Sequence, residues 1–272
     1  MKMNRWISKA TVCSGNAIAA LALAGAVAGV LAGCAVTPSP AQQQLGSGFR
    51  AYRQHAYAQA NQQAAAYLRA DPHGSHADDA YYLQAITQQS QGQPMAAAAN
   101  YRRAIATAHS GAVQRKSYFA LGEMAFAAGQ YGQAANDYGH ALAVNDGHPP
   151  VPMLLFRYGE ALQAVGRWGP ARQVLSRAAA TAGAGPVAGW ARQRLAARHF
   201  TVQFGAYDTP AAADALAQSL HQSNISAYVT NSEIGGRPMY LVQAGIFPNY
   251  AAAASMHSAW AQRFPGSLIE AQ

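Results

Sequence analysis

A chain of 272 residues, 51% hydrophobic and only 11% charged, is long enough for two folded domains and too apolar to stay disordered. Its formal charge of +8 would suit a polyanion, but the arginines are scattered among alanines without a recognition-helix pattern or an aromatic stacking platform, so no nucleic-acid partner is expected. Two cysteines, Cys13 and Cys34, exclude a disulfide framework.

The chain opens with Lys2, Arg5 and Lys9, continues through an uninterrupted apolar run from Ala17 to Leu31, and closes on Leu31-Ala32-Gly33-Cys34. Positive charge, a short apolar stretch and small residues at its end are the parts of a secretory signal, and the run is marginal for a spanning helix. Residues 1–33 are therefore predicted to be a signal peptide. Their close resembles a bacterial lipoprotein signal. That resemblance implies cleavage before Cys34, whose thiol and new amino group would carry acyl chains. Because Ala35 rather than aspartate follows, it also implies an outer-membrane anchor facing the periplasm. With Cys13 removed and Cys34 acylated, no thiol is left for redox or metal chemistry. Residues 34–48, rich in Pro, Gln and Gly, read as the lipidated cysteine and a flexible linker.

From residue 49 to 198 a pattern recurs every thirty-seven residues. Gly92, Gly129 and Gly166 form one column, and Ala97, Ala134 and Ala171 the next. Tyr101, Tyr138 and Leu175 follow, then Ala104, Ala141 and Ala178, with Tyr81, Tyr118 and Leu155 ahead of them. Small residues where two helices touch, and a glycine between the helices, predict stacked antiparallel pairs. The middle copy, Leu121-Gly122, Gly129-x-Tyr131, Ala134, Tyr138 and Ala141-Leu142, resembles the tetratricopeptide repeat (TPR). Ala60 and Pro72 fall on the same register and suggest a degenerate first repeat from about Phe49, while Val187 to Arg198 reads as a capping helix. The resemblance implies a concave groove lined by the first helix of each pair. It would carry Tyr82, Phe119 and Phe156 in one column, Glu123 and Glu160 in the next, and Phe126 beside them, to receive an unidentified periplasmic protein. Aromatics at this spacing serve equally as packing between helices.

Residues 199–272 contain one strand written twice, FTVQFGAY at Phe200 to Tyr207 and YLVQAGIF at Tyr240 to Phe247. Period-2 alternation turns Val202 and Val242 into a core and Gln203 and Gln243 to the opposite face. The duplicated aromatic-x-Val-Gln-x-Gly-x-aromatic strand, the strand near Ala227 to Glu233 and the Gly235-Gly236 turn resemble the SPOR domain, the sporulation-related repeat of bacterial envelopes. This implies a four-stranded antiparallel sheet backed by two helices, binding peptidoglycan glycan strands stripped of stem peptides. The expected contacts are the amides of Gln203 and Gln243, the Tyr228 ring or hydroxyl, the apolar surface of Met239 and Leu241, and Arg237 beside the turn. Thr209 and Asn249 read as helix N-caps.

No catalytic constellation stands out. Glu123 and Glu160 are the only recurring carboxylates and face an open groove. His73-x-x-His76 with Asp78 and Asp79 lies in a Gly-containing turn without the order of a zinc site. The chain is therefore read as multidomain: an all-α TPR-like solenoid followed by a small α+β SPOR domain. It is expected to be a non-enzymatic envelope lipoprotein without cofactor or metal, which binds wall glycan and scaffolds a partner in cell division or wall remodelling. The alternatives are a scaffold of an outer-membrane or secretion assembly with SPOR a weak localiser, and, third, a wall hydrolase.

Overall fold

The structure, a computed structural model, describes residues 39–147, 151–181 and 185–272. The signal peptide and Cys34 lie outside the described residues.

Helix α1 (Pro40–Arg53) occupies much of the stretch expected to be a linker. The reason is local. Ser39 and Gln42 form a capping box, with the Gln42 amide donating to Ser39 Oγ at 3.2 Å and the Ser39 amide to Gln42 Oε1 at 2.8 Å, and Pro40 takes the first helical turn. Leu45, Gly48 and Ala51 then bury one face against α2 (Tyr57–Ala70). The helical array thus begins near residue 40 rather than 49.

Three more hairpins follow, α3 (Ala77–Ser90) with α4 (Pro94–Ala106), α5 (Gly111–Ala127) with α6 (Tyr131–Ala143), and α7 (Pro152–Ala164) with α8 (Trp168–Thr181), and α9 (Pro186–Ala196) closes the array. Gly48, Ala85, Gly122 and Gly159 fall at one position of successive first helices. A Cβ on Gly122 would enter the Tyr138 ring and one on Gly159 would meet the Leu175 side chain, so the missing side chain is what lets the paired helices close. Each hairpin turns on a residue in the left-handed region: His55 (φ 62°), Gly92 (72°), Gly129 (72°) and Gly166 (80°). The amide of the following residue reaches back to the helix end, as in Gln130 N to Ala125 O at 2.9 Å, which satisfies carbonyls the helix leaves open. Successive repeats are stitched by the buried Asp78, whose Oδ2 accepts from the amides of His109 (3.0 Å) and Ser110 (2.9 Å), and by the Arg115–Asp146 pair at 2.7 Å.

The C-terminal module contains β1 (Phe200–Tyr207), α10 (Pro210–Gln222), β2 (Ala227–Ile234), β3 (Arg237–Phe247), α11 (Tyr250–Ala261) and β4 (Leu268–Ala271), with the antiparallel sheet in the order β2-β3-β1-β4. Asn249 caps α11 through Oδ1, which accepts from the Ala252 amide at 2.9 Å; Thr209 occupies the N-cap position of α10 without a side-chain bond. Val242 and Ala244 pack with Ala213, Ala217 and Leu220 of α10, and Phe200 with Ala253 of α11. The two duplicated glycines sit at the irregularities of the β1–β3 ladder. A Cβ on Gly205 would strike the Tyr207 ring and one on Gly245 (φ 80°) the Phe247 ring, which explains the recurring Gly-x-aromatic.

Helix α9 runs directly into β1, and the module rests on the last two hairpins. Phe200, Phe247 and Tyr250 pack with Tyr131, Ala164 and Trp168, and Trp168 Nε1 donates to Pro248 O at 2.8 Å. Among the described residues no helix is long and apolar enough to cross a membrane.

Candidate functional site

The open face of the sheet is fixed by the pleat. Since Val242, Ala244, Ala227 and Val229 point at the helices, the intervening Leu241, Gln243, Tyr228 and Thr230 point away from them. Tyr228, Gln243 and Gln203 are cross-strand partners in one row spanning β2, β3 and β1. Thr230 and Ser232 of β2 extend the polar lining, and Met239 and Arg237 lie farther along β3, beside the hairpin.

Two of the six expected sugar contacts are closed off. Gln243 is 1% exposed and Leu241 5%. Tyr228 explains much of this for Gln243: its hydroxyl lies 3.1 Å from Thr201 Oγ1 on β1 and donates to Gly245 O at 3.4 Å, so the side chain crosses β3 to reach them. Thr230 Oγ1 donates to Gln243 Oε1 at 3.0 Å, while Gln243 Nε2 is buried with no acceptor. The expectation of two freely presented amides is therefore corrected. Gln203, Tyr228 and Met239 are half-buried and Arg237 is exposed, whereas Gln243 is a covered donor. Thr201 and Thr230, absent from the expected set, hold Tyr228 and Gln243 in place. Period-2 alternation alone put them on this face.

The groove residues also differ from expectation. Tyr82, Phe119 and Phe156 do form a column on α3, α5 and α7, but their rings pack on Tyr101 (5.9 Å), Tyr138 (5.7 Å) and Trp190 (5.9 Å). Phe156 is 7% exposed, and burial pushes the Tyr82 hydroxyl up to about 12. These rings are inter-helix packing first, as their size and apolar surface favour. Glu123 and Glu160 are not free to meet a basic partner residue. Glu123 accepts from the Tyr138 hydroxyl and lies 3.2 Å from Arg157 Nε; Glu160 joins Arg157 Nη1 (3.0 Å) to Arg194 Nη2 (3.1 Å). Arg157, half-buried with its guanidinium over the Phe126 ring, is held more firmly protonated: desolvation opposes its charge, but the two carboxylates outweigh it. The result is a chain of alternating charge along α5, α7 and α9. It ends beside a cavity of ≈ 200 Å³ between the helical array and the sheet, lined by Phe126, Tyr131, Glu160, Arg194, Phe200, Tyr250 and Glu270 among others.

A larger concavity of ≈ 460 Å³, which the sequence did not suggest, runs between the second and third hairpins. Met95, Ala98, Leu121 and Met124 line it, with Met95 86% exposed. Among the described residues no group of His, Cys, Asp and Glu is arranged to hold a metal, and the His76 ring pairs with Asp79 at 3.0 Å.

Residues 196–264 match the family model of the SPOR domain. The helical part is similar to solved TPR structures. One is a tetratricopeptide repeat protein from Parabacteroides merdae, at 14% identity and TM-score 0.48, over 57% of this chain and 59% of that one. Another is PilW, described as a widely conserved type IV pilus biogenesis factor, at 18% identity and TM-score 0.46, over 56% of this chain and 66% of that one. The alignment thus spans about three fifths of the first of these proteins. No curated protein matches the chain.

Proposed function

We propose that this protein binds peptidoglycan glycan strands through the open face of its SPOR sheet, while its TPR-like hairpins hold a protein partner in the bacterial envelope. Both modules belong to non-catalytic binding classes. The observation that carries the sugar reading is the outward row Tyr228–Gln243–Gln203, bounded by Thr201 and Thr230, in which Gln203 and Tyr228 stay partly open while Gln243 is held beneath Tyr228. The accessible amide of Gln203 suits a ligand rich in hydroxyl and acetamido oxygens, and the Tyr228 ring and Met239 add apolar surface for a pyranose. Anchoring at Cys34 in the outer membrane and a role in division or wall remodelling complete the reading. With α1 starting at Pro40, such an anchor would hold the first hairpin close to the membrane.

Co-sedimentation of the full chain with amidase-treated and intact sacculi tests it. Preference for the stripped material, reduced several-fold by Gln203→Ala and by Tyr228→Ala, is the expected result; equal retention of all proteins on both materials would sink it. The burial of Gln243 and Leu241 favours a second reading, in which SPOR is a weak localiser and the helical array assembles an envelope complex. In that case the Gln203 variant leaves localisation in cells unchanged. A wall hydrolase has less support, because Arg157 pairs with both Glu123 and Glu160 in the position where a substrate bond would have to lie.

A further inference from the structure

Gln243 stands on β3, between β2 and β1, with only half of its amide in use. Thr230 Oγ1 donates to its Oε1 at 3.0 Å, whereas Nε2 has no hydrogen-bond partner among the described residues, and the residue is 1% exposed. A buried donor left unmet costs stability that a ligand oxygen would restore. Tyr228 stands in the way. It is the cross-strand partner of Gln243 on β2, and its side chain crosses β3 to reach Thr201 on β1.

What holds Tyr228 there is one shared proton. Its hydroxyl lies 3.1 Å from Thr201 Oγ1 and 3.4 Å from Gly245 O, while Thr201 commits its own proton to Ala244 O at 3.1 Å. Thr201 is therefore the acceptor, and the Tyr228 proton is divided between two oxygens, one of them at a distance where hydrogen bonds are weak. Strand β2 is also an edge of the sheet, so no strand lies beyond Tyr228 on its outer side, and the residue is half-buried rather than enclosed. A change of χ1 rotamer would carry the ring off β3 and over that edge. It would uncover the unmet donor of Gln243. Leu241, the next residue of β3 on the same face, is likewise closed off at 5% exposed. A group that fills such a place needs an acceptor oxygen next to a small apolar end. A hydroxyl offers the first alone, and an acetamido group offers both.

We propose that Tyr228 is a latch over a closed acetamido subsite: on binding, its ring swings toward the β2 edge, and Gln243 Nε2 donates to the N-acetyl carbonyl of the glycan, with the acetyl methyl toward Leu241. This rests on the sugar-face reading above and deepens it. The sheet then carries two kinds of amide, Gln203 open throughout and Gln243 offered only to a ligand that binds the unlatched state better than the latched one.

The test is co-sedimentation of the detergent-solubilised full chain with amidase-treated sacculi. Tyr228→Phe keeps the ring and deletes only the latch. Unlike Tyr228→Ala, it is expected to bind roughly two- to ten-fold more tightly than the parent, the size of about one net hydrogen bond. Gln243→Leu should bind several-fold more weakly, and adding Tyr228→Phe to it should restore nothing. N-deacetylating the amidase-treated sacculi should erase the difference between the parent and Gln243→Leu, and with it the gain of Tyr228→Phe. Should Gln243→Leu misfold, the presence of that gain on acetylated material and its loss on deacetylated material decide alone. Tyr228→Phe binding no better than the parent, folded Gln243→Leu binding as well as the parent, or a difference that survives deacetylation overturns the proposal, while weakening by Gln203→Ala keeps the sugar face intact. If the parent shows no preference for stripped material, the sugar-face reading fails and takes this proposal with it.

Discussion

In the helical array, Gly122 makes room for the Tyr138 ring of the neighbouring helix; in the sheet, Gly245 makes room for the Phe247 ring two residues along its own strand. Both positions recur through internal repetition, as Gly159 and Gly205. The constraint nevertheless acts over different ranges. A side chain at 122 pushes apart the helices of a hairpin that must also stack on its neighbours, whereas one at 245 disturbs a local bulge. The difference shows that the same residue, in equally regular repeats, secures tertiary packing in one module and backbone geometry in the other.

The largest effect should therefore come from the helices. Gly122→Val is expected to cost about 3 kcal/mol through overpacking against Tyr138, read as a lower denaturant midpoint for the whole chain. A loss no greater than that of an exposed helix glycine would break the comparison. Gly245→Ala should cost about 2 kcal/mol, since φ of 80° and the Phe247 ring both oppose a Cβ, and the loss should fall on hydrogen-exchange protection of β1 and β3 rather than of α5 and α6.

The charge chain offers a sharper contrast with the sheet face. Glu160→Gln is expected to destabilise by about 1 kcal/mol, with coupling to Arg194→Gln in a double-mutant cycle. Coupling near zero would return Glu160 to the set of residues available to a partner. At His55 the sign reverses: His55→Gly should stabilise by about 0.5–1 kcal/mol, because His55 holds the left-handed turn position taken by glycine in the other three hairpins. The smallest effect is pH-dependent. Burial raises the Asp137 carboxyl above its usual range, with His140 and Arg102 opposing, and its Oδ2 has no hydrogen-bond partner. A raised folded value means that stability is fully present below the unfolded value of about 3.9 and is lost as pH rises through the folded one. Asp137→Asn should thus melt slightly higher than the parent at neutral pH, with the gain vanishing below about pH 4.

The paired helices, the doubled strand and the turn glycines were all readable in the chain, because each rests on spacing between residues close in sequence. The array begins earlier than the Pro/Gln-rich composition of residues 34–48 suggests, because Gly48 stands on the register of Gly122 and Ser39 with Gln42 forms a capping box that starts α1. At the candidate sites, alternation correctly assigned which face of the sheet bears Gln203 and Gln243. It carried no information on Tyr228 crossing β3 to cover Gln243, or on Arg157 and Arg194 engaging Glu123 and Glu160.

What the amino-acid order determined by itself is therefore periodic: where helices pair, where strands repeat, and which side of each is apolar. Only the tertiary structure decided exposure and charge pairing, and brought Arg194 of α9 and Glu270 of β4 to one cavity between the helices and the sheet. These depend on side chains from distant segments meeting across packed elements, and no local period encodes which of them arrive.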